Sequence, residues 1–230
     1  MGYRGAVGAA IEKGTWAGVP ALWAGDRSGP AGVVLHGLGG AKEDQWIDLE
    51  RLAAAGYFAL AIDAHGHGER RFEDFERRFD RASRGDLTVD QEFEQCVERT
   101  ARDVGDVLHA ALAESPHQEG FVLGFSMGGF VGFRTAELYT SVSTLVCVAG
   151  APPRATAAAR LLNTRVLTVH GEFDELVPIE RVRSFHTQAR ALGVDDRGPH
   201  EAIEIPGAGH VFKPQEWADV WPLIVAWLAA

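Results

Sequence analysis

Gly124-Phe125-Ser126-Met127-Gly128 places a serine between two glycines, and the periodicity of the chain changes there. Residues 120–124 read as a short buried strand, whereas residues 130–139 mix apolar and polar positions as an amphipathic helix does. A strand that turns sharply into a helix leaves no room for side chains at positions 124 and 128, and it presents the hydroxyl between them to solvent. Ser126 is therefore a candidate nucleophile. In a chain with 27 glycines a G-x-S-x-G pentad can arise by chance, and the strand-turn-helix setting is what favours chemistry.

A serine hydroxyl attacks at neutral pH only if a base takes its proton, and that base works best when a carboxylate fixes its tautomer. His210, in Gly207-Ala208-Gly209-His210, follows a strand-like run ending at Ile205 and is the candidate base. Asp174, in His170-Gly171-Glu172-Phe173-Asp174, follows another such run and is the candidate orienting acid, with Glu172 and Glu175 as other carboxylates of the same loop. Acyl transfer also needs fixed donors for the developing oxyanion. The glycine-rich loop His36-Gly37-Leu38-Gly39-Gly40 offers the backbone N–H of Leu38, and the helix start after the serine offers that of Met127.

These residues act together only if the fold brings their strand ends to one edge. From residue 31 onward, apolar runs at 32–35, 57–62, 121–123, 144–149, 165–169 and 202–205 alternate with helical stretches at 43–55, 90–113, 127–140, 178–192 and 214–229. Such alternation predicts a parallel sheet with helices on both faces and a ligand site at the carboxyl ends of the strands. Residues 5–11 and 19–24, separated by Gly14 and Thr15, are expected to add an antiparallel hairpin, for eight strands in all. No repeat or composition break divides residues 1–230, so one α/β domain is expected. Two connections stand out, 69–89 and 151–163. In the first, Phe72, Phe75 and Phe79 recur at helical spacing among charges, as either a flap over the catalytic edge or packed surface.

At the level of motifs the chain resembles the α/β-hydrolase superfamily over nearly its whole length. The residues that carry the likeness are His36-Gly37-Leu38-Gly39-Gly40, Asp63-Ala64-His65-Gly66-His67-Gly68, the serine pentad, His170-Gly171-Glu172-Phe173-Asp174 and Gly209-His210, in that order. The chain is most similar to small esterases of the dienelactone-hydrolase-like and prolyl-oligopeptidase-like branch, although dienelactone hydrolases proper carry cysteine where this chain has Ser126. The resemblance implies the α/β-hydrolase fold with a minimal cap, a Ser126-His210-Asp174 triad, and Asp174 rather than Glu172 as its acid. It implies ester hydrolysis with no cofactor. The pair His65/His67 is compatible with a metal hydrolase motif, but related hydrolases carry a similar turn at this position, which implies a structural role and no metal. Many relatives insert a helical cap where this chain has only residues 151–163. A small or medium acyl ester is therefore the expected partner molecule, with Phe125, Val177 and Phe212 as candidates for lining its pocket.

Composition narrows the alternatives. A net charge of −10, with 46% hydrophobic and 23% charged residues, argues for a soluble globular protein and against nucleic acid or an anionic membrane as partner. The two cysteines, Cys96 and Cys147, suit neither a disulfide framework nor a metal site, and the absence of a long apolar span leads to a cytoplasmic expectation. A thioesterase or peptidase would use the same machinery. A small-molecule-binding protein on this fold is the expectation from another class.

Overall fold

A computed structural model describes residues 10–83, 88–154, 156–193 and 200–230. The chain opens with an antiparallel pair, β1 (Glu12–Trp16) and β2 (Val19–Ala24), and continues as β3 (Ala31–Leu35), α1 (Trp46–Ala54), β4 (Phe58–Ile62), α2 (Phe75–Ser83) and α3 (Thr88–Ala113). It then runs through β5 (Gly120–Phe125), α4 (Met127–Leu138), β6 (Val142–Val148), β7 (Arg165–Gly171), α5 (Glu180–Ala191), β8 (His200–Ile205) and α6 (Pro214–Ala229). The eight strands form one sheet in the order β1-β2-β4-β3-β5-β6-β7-β8. β1 and β2 are antiparallel, β2 pairs antiparallel with β4, and every pairing beyond β4 is parallel.

The continuous apolar runs of the parallel strands divide by parity into two cores, because successive side chains leave a strand on opposite faces. Along β4, Phe58, Leu60 and Ile62 enter the core shared with α3, α4 and α5, whereas Ala59 and Ala61 enter the one shared with α1 and α6. On β5, Val122 belongs to the first core and Phe121 and Leu123 to the second. Cys147 is fully enclosed on β6, and Cys96 of α3 packs with Ala64 and Met127; both cysteines are free.

The expected hairpin is present but its first strand lies elsewhere. It runs from Glu12 to Trp16 rather than over residues 5–11, of which 5–9 fall outside the described residues, and the turn is Ala17-Gly18 rather than Gly14-Thr15. Both turn residues have positive φ (49° and 80°), the two-residue geometry whose twist matches that of the flanking strands. Gly14 instead pairs with Ala21 inside the ladder, and a β-carbon there would lie only 3.0 Å from the ring of Trp23. The predicted helix at 43–55 begins as a 3-10 turn, Lys42–Gln45, that continues into α1. Among the described residues no helix is long and apolar enough to cross a membrane.

Candidate active site

β3 is the point where the winding of the sheet reverses, since the chain next builds β4 on one side of it and β5 on the other. A crevice opens at such a reversal, outside the carboxyl ends of the strands. The loops after β3 and β5 meet there: a β-carbon on Gly37 would stand 3.4 Å from the β-carbon of Ser126.

Ser126 occupies a turn so tight that its backbone sits at φ 52°, ψ −116°, a conformation that costs a non-glycine residue on the order of 1–3 kcal/mol. The neighbours compensate. The Ser126 N–H donates to the carbonyl of Val148 on β6 at 2.9 Å, and the Ser126 carbonyl accepts from the N–H of Gly129 at 2.9 Å. The turn closes only because both flanking positions are glycine: a β-carbon at Gly124 would come within 2.1 Å of the Gly128 carbonyl oxygen, and one at Gly128 within 2.5 Å of that of Leu35.

The hydroxyl of Ser126 faces an imidazole. His210 Nε2 lies 2.9 Å from Ser126 Oγ, and His210 Nδ1 lies 2.8 Å from Asp174 Oδ2. A carboxylate can only accept, so Nδ1–H donates to Asp174 and Nε2 is left to accept the serine proton. Asp174 is itself fixed, because its Oδ1 accepts the backbone N–H groups of Leu176 (2.9 Å) and Val177 (2.8 Å). His170 Nε2 sits 2.7 Å from the Val177 carbonyl and 3.3 Å from Asp174 Oδ2, tying strand β7 to the same loop. Glu172 points elsewhere and accepts the N–H of Gly207 at 2.9 Å, bracing the turn that leads to His210.

Met127 is the first residue of α4, so its N–H belongs to the end of a helix whose amides lack intrahelical acceptors. Leu38 lies on the loop after β3 with its side chain half exposed. His36 shapes that loop from below. Its Nε2 accepts the Ala64 N–H (3.1 Å), which puts the ring proton on Nδ1, and that proton is donated to the Gly37 carbonyl (2.7 Å). Burial keeps this imidazole neutral by lowering its pKa.

The remaining candidates are distributed around this centre. Phe125 and Phe212 each lie 5.4 Å from the ring of Trp217, and all three belong to the core under α6. Val177 is buried in the opposite core, on the α5 side. His65 and His67 bind protein groups: the His65 carbonyl faces both His67 Nδ1 (3.1 Å) and the thiol of Cys96 (2.9 Å). Burial depresses the pKa of His67 to about 4. Of the segment with helically spaced phenylalanines, Phe75–Ser83 forms a helix, α2, and Phe72 lies ahead of it. Phe75 is buried against the His67 ring, with centroids 5.1 Å apart, and reaches to 4.0 Å from a β-carbon placed on Gly39. α2 thus packs on the loop that carries Leu38; the side chain of Phe79 lies outside the described residues.

One cluster escaped the sequence reading. Lys42 has a fully buried side chain whose ammonium binds Asp63 Oδ2 (2.8 Å), Glu69 Oε1 (2.9 Å) and Glu43 Oε1 (3.2 Å). Asp63, equally buried, also accepts the backbone N–H groups of Lys42 and Glu69, both at 2.9 Å. Burial alone would lower the lysine pKa, but its hydrogen bonds to Asp63, Glu69 and Glu43 outweigh burial and raise it. The cluster clamps the loop after β3 to the loop after β4. The only sequence cue was Asp63 at a strand end, and nothing local marked Lys42 as its partner.

The fold agrees with that of known proteins. A family model described as alpha/beta hydrolase fold matches residues 33–178. Among solved structures, TT1662 from Thermus thermophilus is 22% identical with a TM-score of 0.72, over 96% of this chain and 99% of that one. A dienelactone hydrolase-like promiscuous phosphotriesterase, P91 from metagenomic libraries, is 21% identical with a TM-score of 0.75 over 96% and 98%. The 2-hydroxy-6-oxo-6-phenylhexa-2,4-dienoate hydrolase of a Rhodococcus strain is 15% identical with a TM-score of 0.71 over 96% and 100%. No significant match was found among curated protein sequences. With the family model spanning well over half of the residues, the chain belongs to the alpha/beta hydrolase fold family.

Proposed function

We propose that the protein is a serine hydrolase acting on carboxylic esters of small to medium acyl size. The observation that carries this reading is the unbroken hydrogen-bonded path from Ser126 Oγ through His210 to Asp174, with the serine held in a strained turn at the head of α4. In the proposed reaction, His210 Nε2 takes the hydroxyl proton as Ser126 Oγ bonds to the ester carbonyl carbon, and the N–H groups of Leu38 and Met127 hold the oxyanion. Collapse breaks the ester C–O bond, and His210 returns its proton to the departing alcohol. Water then enters and bonds to the acyl carbon as His210 takes its proton; the bond to Ser126 Oγ breaks, His210 returns the proton to Oγ, and the acid leaves. Phe125 and Phe212 supply apolar surface beside the nucleophile, and Val177 fixes the loop of the acid. The choice of ester rests on the serine at the nucleophile position and on the short connection between β6 and β7, which leaves no cap of the size that shapes sites for long acyl chains.

The test is hydrolysis of a p-nitrophenyl ester series, acetate to long chain, by the native protein and Ser126→Ala. Turnover that prefers the short esters and vanishes in the folded variant is the expected result, together with labelling of Ser126 by a fluorophosphonate. Undiminished turnover by folded Ser126→Ala, or no turnover and no labelling of the native protein, would sink the reading.

A further inference from the structure

Among its described residues, the connection between β6 and β7 holds a single 3-10 turn, Ala158–Arg160, and beside it a cavity of about 430 Å³ opens along α4. That volume suits a small organic molecule. Its walls come from Phe93 and Val97 of α3, Phe130 of α4, the loop at Arg154 and Thr156, and Arg181 at the start of α5. Phe130 lies four residues after Ser126, about 6 Å further along the helix axis. The loop itself leaves β6 against the backbone of the serine turn, since a β-carbon at Gly150 would be 2.7 Å from the Ser126 carbonyl oxygen.

The charges in this cavity are unequally satisfied. Arg134 is neutralised by Glu98 (2.6 Å) and Glu137 (2.7 Å). Arg154 and Arg181, by contrast, have no carboxylate partner among the described residues, in a protein that carries ten more acidic than basic side chains. Arg181 donates to the Pro152 carbonyl (2.7 Å) and lies over the Phe130 ring, 5.0 Å from its centroid. It stands in the first turn of α5, where the amide dipoles already favour an anion and disfavour a cation. Burial first, and then the charge of Arg154, lower its pKa; Asp90 and Glu94 line the α3 wall of the same cavity. Thr156 adds a buried hydroxyl oxygen with no hydrogen-bond partner.

We propose that this cavity binds an organic carboxylate: Arg154 and Arg181 take the anionic group, the Thr156 hydroxyl donates to it, and Phe93, Val97 and Phe130 cover an attached aryl or alkyl part. Two guanidinium forks suit a planar carboxylate, and Arg181 is pre-oriented by its bond to Pro152 and its contact with Phe130. The cavity lining includes none of Ser126, His210 and Asp174, and the site does not depend on the reaction proposed for Ser126.

Calorimetric titration of benzoate and hexanoate at low ionic strength, into the Ser126→Ala protein, separates the two. Saturable one-to-one binding is expected, weakened roughly 10-fold or more by Arg154→Gln and by Arg181→Gln, and a few-fold by Thr156→Val. Arg165→Gln, whose guanidinium sits on Trp227, should leave it unchanged. Arg154 is exposed and bonds to no described side chain, so its variant tests the site without disturbing the fold. Absence of saturable binding by both carboxylates, or equal affinity in Arg154→Gln, would overturn the proposal. So would inorganic phosphate binding with the same arginine dependence while neither carboxylate binds.

Discussion

Asp174 commits both carboxylate oxygens to fixed partners, and Glu172, two residues away, commits one of its own to a loop brace; the same loop thus gives two acids separate tasks. Asp174→Asn presents an amide N–H₂ or carbonyl to His210 and undoes the tautomer in which Nε2 accepts. On the serine-hydrolase reading, kcat should fall roughly 10⁴-fold while the melting temperature changes little. Glu172→Gln removes only a charge-assisted bond to Gly207 at an exposed turn, and kcat should fall less than about 10-fold. A larger loss in Glu172→Gln than in Asp174→Asn would reverse the assignment. The residues around Ser126 were legible because each follows an apolar run within three positions of a glycine, a local mark. The hydrogen bond of His170 to Val177 was not, since it depends on how a loop folds back on its own strand. His36 and His170 each hold a backbone carbonyl.

Elements are joined here by charge as well as by apolar packing. Lys42 and Asp63 come from the loops after β3 and β4, and neither reaches solvent. Removing one partner strands the other in a dry interior, whereas removing both leaves a gap that apolar groups can fill. Lys42→Met should therefore cost roughly 3–5 kcal/mol in urea unfolding, and the double variant Lys42→Met/Asp63→Leu should recover much of that loss. Additive losses would mean that the pair does not act as a unit. This partnership spans 21 positions and leaves no trace in periodicity. By contrast, the six parallel strands were legible from their apolar runs, and their ends moved by only one or two residues in the structure. The opening strand was misplaced because the turn that sets it, Ala17-Gly18, lacks the Asn or Asp that usually announces positive φ, while Gly14-Thr15 imitates a turn inside the ladder.

Across the whole molecule, the far edge of the sheet carries a second kind of buried polarity. His186 of α5 bonds to Thr168 of β7 (2.8 Å), and His200 of β8 lies with its ring 6.0 Å from that of His186. Burial, then the neighbouring His200 and Arg190, depress the pKa of His186 to about 4; burial lowers that of His200 as well. Both imidazoles are neutral in the folded protein. As pH falls below about 6.5 the unfolded chain gains protons that the folded one refuses, so stability is full above that value and declines toward pH 4. The contribution of His186 is on the order of 3 kcal/mol. The urea midpoint should drop between pH 7 and pH 5, with a shallower slope in His186→Gln; identical slopes would clear His186 of any part in it. Neither histidine stood in a recognisable pattern, because their burial follows from the packing of α5 on β7 and β8.

The two free cysteines give the fold a built-in clock. Thiols react as thiolates, and burial pushes Cys147 up to about 12 and Cys96 to about 11. Cys147 sits in the central sheet behind the nucleophile turn, and Cys96 packs on Met127, the residue after Ser126. Alkylation of the native protein must therefore wait for an opening of the chain. Its rate at Cys147 reports how often the sheet core is breached, and its rate at Cys96 reports how often the layer behind the serine lifts away, with no label engineered into either place.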